Sequence, residues 1–146
     1  MNRVEFRAED VLLPPWTAAA GKFIKKVLER IGARNWELSV LVCSNRYIKS
    51  LNGQFRNKDE ATDVLSFPLG ETGPGGRYLA GDIVVSLDAL EENTGFFGVQ
   101  ADEELRRLLV HGILHLAGED HITNDRGEPM LKTQEEILSL VAGKIL

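Results

Sequence analysis

The chain predicts an α+β fold: one domain, residues 1–146, with a small mixed sheet of about four strands packed by about five helices. Three observations lead there. Short segments of period-two alternation interleave with segments of helical period in the order β-α-β-α-β-β-α-α-α. A glycine-rich connection between the third and fourth strand segments suits an antiparallel pair. A helix in the second half, from Asp102, is apolar nearly all round from Leu108 onward, as expected of an element at the domain centre. With 146 residues, 43% of them hydrophobic, the chain can bury a single core.

Taken in order, Val4-Glu5-Phe6-Arg7 alternates and reads as a short strand, and Pro14-Pro15 breaks the chain after it. Trp16, Ala20, Phe23, Ile24, Val27, Leu28 and Ile31 then recur at helical spacing to about Ala33, with Lys22, Lys25, Lys26, Glu29 and Arg30 on a solvated face. Trp36 to Cys43 begins with strict alternation and ends as a continuous apolar run, the pattern of a strand buried on at least one face. Ser44 is a good N-cap for a short helix expected to exit at Gly53, and a turn-rich Arg56-Asn57-Lys58-Asp59-Glu60 follows. Thr62 to Phe67 is expected to be a strand stopped by Pro68. The glycines of residues 70–76 lack a phosphate-loop pattern and read as a hairpin connection to a strand over Gly81–Ser86. Asp88 is expected to cap a short helix running toward Gly95. Asp102, Glu103 and Glu104 open the central helix, where acidic residues complement its dipole. Glu128-Pro129 opens a final helix to about Val141, with Met130 a core side chain.

Composition narrows the function classes. A net charge of −5 and a pI near 5.2 exclude a generally sticky nucleic-acid binder and leave room only for a locally basic groove. The N-terminus lacks a basic-then-apolar leader pattern and no apolar run approaches spanning length, so a soluble, cytoplasmic chain without membrane contact is expected. Cys43, the only cysteine, cannot form an intramolecular disulfide and sits in a strand-like apolar run as a small core residue.

All three histidines fall in one stretch, His111-Gly112-Ile113-Leu114-His115-Leu116-Ala117-Gly118-Glu119-Asp120-His121. His111 and His115, four apart on a helix, project from one face. Gly118 can take the left-handed conformation that ends a helix and lets the chain return His121 toward the same point. Three neutral imidazoles suit one Zn²⁺ per chain with a fourth position open to water, the pattern of a catalytic ion. The spacing H-x3-H-x2-G-x2-H is also that of metzincin proteases, whose glutamate base follows the first histidine; here that position is Gly112. A metalloprotease with metzincin-like geometry is therefore a lesser reading.

The same stretch resembles the YbeY family, bacterial rRNA maturation factors described as single-strand-specific endoribonucleases with the signature H-G-x-L-H-L-x-G-x-D-H. His111, Gly112, Leu114, His115, Leu116, Gly118, Asp120 and His121 match it. So do Leu51-Asn52, Phe55-Arg56, Lys58, Thr62 to Pro68 and Gly81-Asp82-Ile83 upstream, while Glu119 stands where the family often has an aromatic residue. The resemblance implies a tri-histidine metal site at the end of the central helix, with Arg56 in the adjacent groove as an RNA- and phosphate-binding catalytic residue beside His111. A guanidinium can grip phosphate bidentately, and Lys58 would add a point charge. Asp120 and Asp82 are weaker candidates for orienting a ligating imidazole, and Asp82 has the alternative of pairing within the sheet. The implied activity is metal-dependent endonucleolytic cleavage of single-stranded RNA in rRNA processing, specifically 3′ end maturation of 16S rRNA, and in ribosome quality control. Implied partners are ribosomal RNA and the ribosome or its associated proteins, with the chain itself a monomer. A noncatalytic ribosome-assembly factor with a structural metal is the third reading.

Overall fold

The computed structural model describes residues 1–57, 60, 62–97, 100–119, 128–141 and 144–146. Its elements are β1 (Arg3–Glu9), α1 (Thr17–Arg30), β2 (Trp36–Cys43), α2 (Asn45–Arg56), β3 (Val64–Thr72), β4 (Tyr78–Ser86), α3 (Leu87–Phe97), α4 (Ala101–Leu116) and α5 (Pro129–Leu140), with a short 3-10 turn at Pro74–Gly76. The α+β class, the four strands, the five helices and their order agree with the reading of the sequence.

The sheet runs β1-β2-β4-β3. β1 lies parallel to β2, the two joined through α1, and β2 lies parallel to β4. β3 and β4 form an antiparallel hairpin closed by the glycine-rich turn, as the loop composition implies. Alternation then sorts side chains between two faces. On the inner face Val40, Val42, Ala80, Ile83 and Val85 meet Phe23, Ile24 and Val27 of α1 and Leu105, Leu109, Ile113 and Leu114 of α4 in one continuous apolar core. On the outer face Leu41, Cys43, Leu65 and Val84 are covered by Ile48 of α2 in a smaller cluster. Cys43 is fully buried; loss of hydration and the nearby carboxylates of Asp88 and Asp10 push its thiol up to about 12, so it is an inert core residue at neutral pH.

Three boundaries differ from expectation, each for a physical reason. β3 does not stop at Pro68 but continues to Thr72. It is the edge strand, where a missing N–H costs no ladder bond, and the pairing is irregular between Pro68 and Glu71. α2 does not exit at Gly53 but runs to Arg56, where Asn57 takes the left-handed conformation (φ 55°) and its N–H bonds the Asn52 carbonyl. The cap of α3 is the Ser86 hydroxyl, which accepts from the Ala89 N–H at 3.2 Å. Asp88 instead accepts from the Asn45 N–H at 2.8 Å, tying α3 to the start of α2.

Helix α4 packs against α1, α3, α5, β3 and β4. It comes close to the sheet at Gly112, where an added Cβ would stand 2.8 Å from Cγ2 of Ile83, under the closest distance real Cβ atoms show. Among the described residues no helix is long and apolar enough to cross a membrane.

Candidate metal centre and cleft

The imidazoles of His111 and His115 leave the exposed side of α4, one turn apart, and their Nε2 atoms lie 3.2 Å from each other with the ring planes at 70°. The helix ends directly below them. Gly118 is left-handed (φ 93°), its N–H bonds the His115 carbonyl at 3.0 Å, and the Glu119 N–H bonds the Leu114 carbonyl at 3.0 Å. That double closure is a Schellman motif and reverses the chain immediately after the two histidines, the turn the sequence pattern calls for. His121 and Asp120 come next and lie outside the described residues, as does Lys58. Among the described residues no group of three or more potential ligands is arranged to hold an ion, so two of the three expected imidazoles are brought together here.

The donor chemistry fits a metal as far as it is described. Two nitrogens on one tetrahedral zinc with Zn–N bonds of about 2.0–2.1 Å stand roughly 3.3 Å apart. The observed 3.2 Å therefore needs almost no rearrangement of either ring.

His111 is held from behind by a residue that the sequence gives no reason to single out. Its Nδ1 lies 2.7 Å from Oε1 of Gln134 on α5, an amide side chain that is only 6% exposed. The Gln134 amide nitrogen donates to Glu135 Oε2 at 3.1 Å. Arg107 of α4 grips both oxygens of Glu135 at 3.0 Å each and also reaches Glu103 at 3.2 Å. The hydrogen bond to Glu135 raises the guanidinium's pKa above its already high ordinary value, against the cost of partial burial.

These groups open onto a cleft of about 730 Å³ between the edge strand and α4. Val64, Ser66 and Pro68 of β3 form one wall and Leu108, His111 and His115 the other. Arg56, exposed at the last turn of α2, lines the same cleft as the two imidazoles. Buried Asn52, one turn earlier, donates to the Glu60 carbonyl at 2.9 Å. Asp63 and Glu104 also line the cleft, linked through the amide of Asn93 at 3.3 and 3.4 Å.

Asp82 does not line this cleft with the other described residues. It alternates with Ile83, which points inward to Gly112, and so faces the outer side of the sheet, where the Ser39 hydroxyl donates to its carboxylate. Of the two roles read from the sequence, the contact present among the described residues is the one within the sheet.

Residues 4–142 match the family model described as endoribonuclease YbeY. The chain belongs to the endoribonuclease YbeY family. It is 50% identical over 121 residues to the endoribonuclease YbeY of Treponema denticola, covering 80% of this chain and 77% of that one. It is 43% identical over 143 residues to the Treponema pallidum protein of the same name, covering 95% and 89%. The solution structure of TM1509 from Thermotoga maritima superposes with a TM-score of 0.65 at 30% identity, over 94% of this chain and 88% of that one. The chain is thus an endoribonuclease, a hydrolase of internal RNA phosphodiester bonds. Gly112 adds a physical reason against the metzincin alternative: the position that would carry the peptidase glutamate faces Ile83 at a distance that admits no side chain without displacing it.

Proposed function

We propose that RNA is cut in the cleft between β3 and α4, with a single zinc ion held by His111, His115 and His121. The observation that carries this reading is the pair of Nε2 atoms 3.2 Å apart on a core-anchored helix, opening into the cleft that Arg56 lines. When bound, such an ion supplies Lewis acidity, lowering the pKa of water or polarising a phosphoryl oxygen. The remaining work falls to the chain itself. Arg56, permanently charged and planar, binds the non-bridging oxygens of the scissile phosphate and offsets the negative charge that grows there in the transition state. Lys58, two residues on in the sequence, supplies a second cation in this reading. Asp120 orients a ligating imidazole. The cleft has charged walls on both sides, Asp63 and Glu104 as well as Arg56 and Arg107, so it selects for contacts made at defined points over simple attraction of any polyanion.

The substrate in this reading is single-stranded RNA, whose backbone can bend into a cleft walled by a strand and a helix in a way that an A-form duplex cannot. The biological substrate is ribosomal RNA, including the 3′ end of 16S rRNA, and the partners are the ribosome and ribosome-associated proteins in the cytoplasm, with a role in ribosome quality control. The whole of residues 1–146 acts as one hydrolase domain.

The test is cleavage of a defined single-stranded RNA and its duplex by the purified protein, stripped with chelator and then reloaded with zinc. Loss of cleavage on stripping, recovery with zinc, and a preference for the single strand are expected. Unchanged cleavage after complete stripping, verified by elemental analysis, would overturn the metal-dependent reading. A fall in thermal stability on stripping with no RNA turnover in either form would favour the noncatalytic assembly factor.

A further inference from the structure

The hydrogen bonds behind His111 run in one direction only. A guanidinium can only donate and an ionised carboxylate can only accept, so Arg107 fixes Glu135 as the acceptor. Glu135 Oε2 can then receive only the NH₂ end of the Gln134 amide, which sets which way that amide points. Its carbonyl end, Oε1, consequently faces His111 and has nothing to donate. The hydrogen between Gln134 Oε1 and His111 Nδ1, at 2.7 Å, must come from the ring. In a neutral imidazole that leaves Nε2 without hydrogen and with its lone pair directed outward, and Nε2 is the atom that stands 3.2 Å from Nε2 of His115.

We propose that Gln134 is a positioning residue that holds His111 in its Nδ1–H tautomer, through the Arg107–Glu135 pair, and so keeps Nε2 bare for a metal ion. The inference rests on the metal reading of the cleft and concerns residues of α5 and α4 that no ligand motif includes. Burial separates it from simple packing. Gln134 lies on α5 with Met130, Ile137 and Leu138, where a leucine would fill the same space. An amide 6% exposed is costly there unless both of its ends are paired, and both are. Rotation of the amide by half a turn would set its NH₂ against a ring N–H and its oxygen against a carboxylate, so the neighbours select one orientation.

The experiment uses the full chain, isotopically labelled and metal-free, with long-range proton–nitrogen spectra to read the His111 tautomer and competition against a chromogenic chelator to read zinc affinity. In the wild type, Nδ1 is expected to carry the hydrogen. In Gln134→Leu, which keeps the volume and removes the acceptor, the Nε2–H tautomer becomes populated and zinc affinity falls about ten- to a hundredfold. Gln134→Glu keeps an acceptor toward Nδ1 but sets its second oxygen against the Glu135 carboxylate, so it is expected to hold the wild-type tautomer only when combined with Glu135→Gln. A wild-type ring that carries its hydrogen on Nε2 would overturn the proposal without reference to any variant, and so would a folded Gln134→Leu protein that binds zinc as tightly as the wild type. Absence of zinc binding in the wild type itself would instead overturn the metal reading, and the tautomer populations would still decide whether Gln134 sets the ring.

Discussion

Two polar clusters sit on opposite sides of the same sheet, and they differ in what stands behind them. On the outer face Glu5, Arg7, Glu37, Ser39 and Asp82 surround a shallow depression. Arg3 pairs with Glu37 across exposed strand surface, and Ser39 pairs with Asp82. These two pairs lie at the strand surface, and neither is backed by a buried polar side chain. On the inner side His111 and His115 project from a helix buried along most of its length, and His111 is held by an amide that is itself buried. The difference is one of support. A cluster of charges on open strands is solvated and compensated, whereas a cluster backed by packed apolar residues keeps its geometry when a substrate arrives.

The largest effect expected from breaking the contrast is at His115. His115→Ala should reduce RNA cleavage to the buffer background while circular dichroism and the melting temperature stay near wild type, since the ring is half-exposed and the helix tolerates alanine. Arg56→Ala should lower cleavage by about 10²–10³-fold at unchanged stability, the usual loss for one group facing transition-state charge, and Arg56→Lys should recover part of it. Single-turnover cleavage of one labelled RNA measures all three.

Gly112→Ala probes the support directly. Its methyl group meets Ile83, so α4 and β4 must separate, and the unfolding free energy should fall by about 1–3 kcal/mol in urea titrations. Both imidazoles ride on that helix, so cleavage should fall as well. Asp102 tests the helix's other end. Its burial opposes ionisation, but the N–H groups of Leu146 and Ile145 and the Arg106 guanidinium outweigh it and hold the carboxyl below its ordinary value. A lowered carboxyl pKa contributes stability above the unfolded value of about 3.9 and loses it as pH falls through the folded value. Wild type should therefore lose its stability advantage over Asp102→Asn on acidification below about pH 4, read by melting temperature against pH. The smallest effect is expected on the outer face, where Asp82→Asn should change stability by no more than about 0.5 kcal/mol and cleavage of the isolated RNA by no more than about twofold.

How far these features can be read from sequence depends on whether the cause is local. His111 and His115 share a face because helical geometry requires it, and Gly118 ends that helix because glycine readily takes positive φ; both are visible as spacing. The five helices and four strands follow from periodicity for the same reason. Pro68 misleads because a proline stops a central strand but not an edge strand, and edge position is decided by β4 lying between β2 and β3. Gly53 looks like an exit because nothing nearby announces that Asn57 will take the left-handed cap. Gln134 is unreadable for a deeper reason. A glutamine beside two glutamates on an amphipathic helix has the pattern of a solvated face, and only the packing of α5 on α4 turns it inward to His111. Asp82 shows the converse, a motif residue whose strand parity sends it to the side away from the cleft.

Placing the histidines on α4 also decides how the site is lost. The amide hydrogens of Leu109, Val110, Ile113 and Leu114 belong to residues sealed from water on a helix clasped by α1, α3, α5 and two strands, so they are expected to be among the slowest to exchange with deuterium. The two imidazoles therefore share the fate of the slowest-exchanging segment, and mild heat or denaturant that frays the chain ends leaves them aligned.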